Sequence, residues 1–138
     1  MANTAVVLTT THLTLNSVDV SDWVTKIELT VEVDEKDVTT FGSSGWMEVI
    51  GGLKKGKLDI TFLQDYVDNE LDEDLWALLG SVVTFATRPT SAAVGTGNPS
   101  YSGSVLIGDL KPVAGGVGDV AEVSASWSTS GAVARATA

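Results

Sequence analysis

Six carboxylates crowd residues 65–74: Asp65, Asp68, Glu70, Asp72, Glu73 and Asp74. Calcium favours such ligands, but an EF-hand loop needs acids at alternate positions and a glycine at the sixth. Leu71 interrupts the run and no glycine follows until Gly80. The cluster therefore reads as the solvated N-terminus of a helix. "GGVGDV" at 115–120 has the lettering of a calcium-binding β-roll, but it occurs once and a roll needs stacked copies. A hairpin turn is expected there. "GTGNPSYSG" lacks the strand–turn–helix context of a dinucleotide fingerprint. The single histidine, His12, sits among threonines without a matched acid and nucleophile, and reads as a surface or edge-strand residue. The absence of cysteine removes disulfides, thiolate metal sites and cysteine nucleophiles, and one histidine cannot build a multi-histidine site. No catalytic, cofactor-binding or metal-ligating residue is assigned, and the chain is not expected to be an enzyme.

The elements around these residues are mostly strands. In "TKIELTVEVDE", Ile27, Leu29, Val31 and Val33 share one face, and Lys26, Glu28, Thr30 and Glu32 the other. That period marks a half-buried antiparallel strand. "KLDITFLQ" sets Leu58, Ile60 and Phe62 against Lys57, Asp59 and Thr61; "DVAEVSASWSTS" sets Ala121, Val123, Ala125 and Trp127 against Glu122 and serines. "SVVTFATRP" and "YSGSVLIGDLKPV" are further strands ended by proline-containing turns. "HLTLNSVDV" is two short strands about a turn at Asn16-Ser17. Only "DNELDEDLWALLGS" reads as helix, with Asp68 or Asn69 as its cap and Gly80 as its stop. Leu71, Leu75, Leu78 and Leu79 form its apolar stripe, and Trp76 is expected to bury beside Leu75. "TSAAVGTGNPS" is a long loop of small polar residues.

With 138 residues the chain suits one domain, large enough to bury about two-thirds of its unfolded surface. No apolar run approaches the ~20 residues that cross a bilayer, and "MANTAVVLTTT" lacks the pattern of a signal peptide. No membrane is expected among its partners. A net charge of −10 opposes grip on nucleic acid, which requires a basic face.

"DVTTFGSSGWMEVIGGLKKG", residues 37–56, is anomalous. Surface loops are short and polar. This one carries five glycines together with Phe41, Trp46, Met47, Val49 and Ile50. Trp23, Trp76 and Trp127 fall on apolar faces, whereas Trp46 has no periodic partner. Trp46 folds back on its own core, stacks on a sugar, or enters another protein chain. Apolar residues displayed on a long loop favour the last of these.

The ordered string of segments from about Leu13 to Thr137 resembles the major tail tube proteins of long-tailed, non-contractile bacteriophages, and most closely those of actinobacterial hosts. "RPTSAAV…NP.Y.GSV" and "W.TSGAV.RAT" are its most telling parts. The resemblance implies a mainly β fold: an antiparallel β-sandwich or partial barrel with one short α-helix and a long loop between subunits. It implies a single domain, 1–138, with an N-terminal arm at 1–12, a stacking loop at 34–56 and a C-terminal segment at 128–138. It implies a structural virion protein whose hexameric rings stack helically into a tube that conducts DNA without binding it specifically. Tape measure, tail terminator and distal tail proteins are the implied further partners. Synthesis would occur in the bacterial host cytoplasm, before incorporation into the virion tail.

By position and composition the loop matches the family's long loop, so Phe41, Trp46, Met47, Val49 and Ile50 are expected at contacts between subunits, ordering when the tube forms. Glu28, Glu32 and Asp59 are candidates to face the lumen. Four strands from each of six subunits, ~4.8 Å apart and tilted ~40°, would close a barrel roughly 50 Å across. The rival readings are a monomeric β-sandwich binding module with Trp46 as platform, and another virion protein such as a tail terminator or head decoration subunit.

Overall fold

The period-two patterning is realised as eight strands in the computed structural model, which describes residues 3–138. They are β1 (His12–Leu15), β2 (Val18–Asp19), β3 (Val24–Asp37), β4 (Val49–Leu63), β5 (Val82–Arg88), β6 (Ser100–Leu106), β7 (Glu122–Ser128) and β8 (Ala134–Ala136). Every pairing between them is antiparallel. One sheet has the order β2-β1-β5-β6-β8 and the other β3-β4-β7. The C-terminal segment thus joins the larger sheet through β8. Among the described residues there is one α-helix, α1 (Leu71–Leu78), which follows β4.

The core lies between the sheets. The larger contributes Leu13, Leu15, Val83, Phe85 and Val105; the smaller contributes Leu58, Ile60, Phe62, Val123 and Trp127. Each such side chain contributes about 1.5–3 kcal/mol by leaving water. Phe62 and Trp127 pack with ring centroids 6.3 Å apart, and the Trp127 indole N–H donates to the Asp109 carbonyl at 3.0 Å. The sheets also join along one side. Val105 bridges to Thr129, and the Ser130 N–H donates to Ser104 at 2.8 Å. This junction makes the sandwich a partial barrel.

Local chemistry explains the turns. Asn16 and Ser17 both take positive φ (52° and 66°), the geometry of a two-residue hairpin turn whose twist matches its strands. The loop expected at 90–100, whose last residue Ser100 opens β6, is organised by Asn98, whose side-chain amide bonds the backbone of Thr90, Ala92 and Ala93.

The helix departs from expectation at both its start and its middle. Neither Asp68 nor Asn69 caps it: Glu70 is the capping position and makes no side-chain bond there. Asn69 turns through φ 63°, and its N–H is taken by the Glu73 carboxylate at 2.7 Å. Leu71 and Leu75 are buried, but Trp76 is 61% exposed. A step of one residue along a helix rotates the side chain by about 100°, so a residue beside the stripe need not share its contact.

Candidate assembly interface

The stretch expected as a loop at 34–56 is loop only over residues 38–48; its flanks are strand. Three of its five glycines, Gly51, Gly52 and Gly56, lie within β4 and not in a turn. β3 and β4 therefore form a hairpin that outruns its own core. The buried alternation of β4 stops at Gly56, and the residues from Lys55 back to Val49 are exposed. At ~3.4 Å per residue the projection from Gly56 to Val49 is about 24 Å long.

Gly56 marks the departure point. The Thr129 N–H donates to its carbonyl at 3.0 Å, and a Cβ on Gly56 would meet Thr129 Oγ1 at 2.9 Å. Only a residue without a side chain lets the C-terminal segment cross here. Beyond it, Val31 and Val33 continue the apolar face begun by Ile27 and Leu29, but both are exposed because the opposite sheet does not reach them.

The tip is held by hydrogen bonds within one subunit. Val38 N–H donates to the Glu48 carbonyl at 2.9 Å. Asp37 accepts the Thr39 N–H at 2.8 Å, and hydrogen bonds from Thr39 hold the Asp37 carboxyl below its ordinary value. The Thr39 hydroxyl accepts the Glu48 N–H at 2.9 Å. A 3-10 turn at Phe41–Ser43 follows, with Ser43 tucked in and Ser44 and Gly45 at positive φ. This scaffold faces the large side chains outward. Phe41 is fully exposed, Trp46 is 77% exposed, and Met47, Val49, Ile50 and Leu53 are exposed beside them. Val49 and Ile50 are strand residues, paired with Asp37 and Lys36.

The polar face of the smaller sheet gathers the other candidates. Glu28 pairs directly with Asp59, and Glu32 with Lys55, so all three acids stand on one surface. Lysines interleave with them. Lys57 Nζ lies 3.8 Å from Asp59, and Lys55 Nζ lies 3.0 Å from Asp34, which raises the Lys55 pKa. Ser124, Ser126 and Ser128 complete the face. This sheet has three strands, one fewer than the barrel estimate assumed. Its outer strand β3 leaves a 14-residue edge without a partner strand in its sheet, and such edges are templates for pairing with another chain.

Among the described residues no group of three or more His, Asp and Glu could hold a metal ion. His12 is half-buried, with Nε2 3.4 Å from Asp19, an acid its sequence neighbourhood did not reveal. Hydrogen bonds from Ser21, first from its hydroxyl and then from its backbone N–H, lower the Asp19 pKa, with His12 adding to the effect. No helix among the described residues is long and apolar enough to cross a membrane, which leaves β-barrels unaddressed.

No protein-family model matches the chain, and no curated protein matches it. Solved structures do share its fold. One is a chain from the virion of a native gene transfer agent particle, 18% identical, with a TM-score of 0.66 over 83% of this chain and 85% of that one. Another is a chain from the tail of an empty gene transfer agent particle with C6 symmetry, 17% identical, with a TM-score of 0.63 over 81% of each.

Proposed function

We propose that this chain is a structural subunit of a phage-type tail, and within it the major tail tube protein. Six copies form a ring, and rings stack into a tube through which DNA leaves the particle. The observation that carries this reading is the arm. A subunit that holds Phe41, Trp46 and Met47 in water at the end of a long hairpin exposes apolar area it cannot bury alone, and aromatic side chains are the usual anchors of protein contacts. The fold shared with a subunit of a C6-symmetric tail supports six copies per ring. Tape measure, terminator and distal tail proteins are the partners such a tube would meet at its core and ends.

The polar face with Glu28, Glu32 and Asp59 is assigned to the lumen. Six three-stranded sheets, with strands ~4.8 Å apart and tilted ~40°, close a barrel about 36 Å across at the backbone. Side chains narrow that bore by ~10 Å, which still passes a duplex. A net charge of −10 keeps a moving polyanion from adhering.

Negative-stain microscopy of the purified chain at rising concentration tests the reading. Rings or tubes are expected. Replacing residues 41–47 by a Gly-Ser link should leave a folded subunit that no longer forms tubes. A chain that stays monomeric at every concentration would instead fit a binding module.

A further inference from the structure

The end of the molecule opposite the arm bears a groove complementary to what the arm displays. Leu15, Val18 and Val20 line one side, and Leu71, Leu75 and Leu78 of α1 the other. Its volume is about 220 Å³, below the ~300–1,000 Å³ of small-molecule pockets and on the scale of one inserted side chain. The exposed Val18 leaves its wall unfinished.

Its position follows from β4. The arm's tip precedes Val49, and the chain reaches α1 shortly after Leu63, about 48 Å farther along the strand at ~3.4 Å per residue. The Asp72 N–H donates to the Asp65 carbonyl at 3.0 Å and holds the helix start to that far end. A convex apolar tip at one end and a concave apolar groove at the other make a heterologous, head-to-tail contact, which repeats without closing.

Charge selects this pairing. From Gln64 to Thr87 there are six acids and no Lys or Arg. None of the six takes part in an ion pair among the described residues. Asp74 stands on the groove itself. The arm from Val31 to Gly56 carries five acids and three lysines, three of the chain's eight cations. Lys36 and Lys54 have no carboxylate within ion-pair distance among the described residues. A net of −2 facing a net of −6 repels less than −6 facing −6, so charge favours arm against groove over groove against groove.

We propose that the groove between the β1–β2 hairpin and α1 receives the arm tip of a second copy, with Phe41 entering it and Lys36 and Lys54 facing the carboxylates of α1. This rests on the arm being the stacking element.

The cysteine-free chain permits a direct test. Gly42→Cys sits next to Phe41, where an added Cβ would meet Thr40 Oγ1 at an ordinary 3.6 Å, and keeps the anchor; Ala77→Cys sits on the exposed groove wall. The two single variants are mixed, assembled and mildly oxidised. A disulfide joining residue 42 of one copy to residue 77 of another, confined to the assembled fraction, is expected. Tubes that assemble without this cross-link overturn the groove as receptor and leave the arm's stacking role standing. Chains that stay monomeric with and without the substitutions overturn both. Independently, Asp72→Lys with Asp74→Lys should raise the concentration needed for assembly at least tenfold, and adding Lys36→Glu with Lys54→Glu should restore it. Failure of the second pair to restore assembly overturns the charge pairing.

Discussion

Glu28 on β3 and Asp59 on β4 stand directly opposite each other on the polar face of the smaller sheet. Like charges in that position repel, and Lys57, 3.8 Å from Asp59, only partly offsets this. Folding gains nothing from the pair; under the proposed function, a lumen that lets a polyanion slide past does. The combined replacement Glu28→Lys, Glu32→Lys and Asp59→Lys is expected to change stability by about 0.5 kcal/mol or less per site. It should slow DNA ejection from reconstituted particles, read as dye-reported release. Ejection at the normal rate would remove this face from the lumen.

Leu75 and Trp76 are neighbours on α1 with opposite fates. Leu75 is 1% exposed, so Leu75→Ala should cost about 2–5 kcal/mol in chemical denaturation of the unassembled subunit. Trp76→Ala should cost about 0.5 kcal/mol or less, as at other surface sites. Equal losses at the two positions would place Trp76 in the core after all.

Gly56 is where close approach matters most. Gly56→Ala pushes a methyl against the stiff Thr129 side chain and the Thr30 carbonyl, and about 1–3 kcal/mol of stability should be lost. Gly42→Ala is the control, because its nearest neighbour would lie at an ordinary 3.6 Å. Thermal melts of both variants at one concentration distinguish a steric cost from a general effect of losing glycine.

Asp37 gives the tip an acid limit. Hydrogen bonds from Thr39 lower its pKa from the usual 3.8, so the folded tip binds its proton less readily than the unfolded chain. The resulting stabilisation is fully present above about pH 4 and is lost as pH falls through the lower folded value. Trp46 fluorescence should therefore be flat from pH 7 to 5 and change only in more acid solution. Asp37→Asn should abolish that step. A step centred near pH 6 that persists in the variant would belong to another group.

Alternation alone revealed the inner faces of β4 and β7, since Leu58, Ile60, Phe62, Val123 and Trp127 are all buried as their spacing requires. A residue's face in a strand is a local property of backbone geometry, so sequence determines it. Phe41, Trp46 and Met47 stood out in the sequence for a different reason, as large apolar residues on a glycine-rich stretch, and all three are exposed. Tertiary structure alone decided where burial stops. Val31 and Val33 have the spacing of core residues, yet they lie past the end of the opposite sheet and stay in water. Glycine likewise carries two meanings. At Gly45 it turns the chain with φ 85°, and at Gly56 it admits Thr129 against a straight strand. Composition cannot tell these apart, because the second depends on a segment 73 residues away in sequence. The groove between α1 and the β1–β2 hairpin is of the same kind. Its walls come from two distant stretches, and only the packing of the helix against the sheet brings them together.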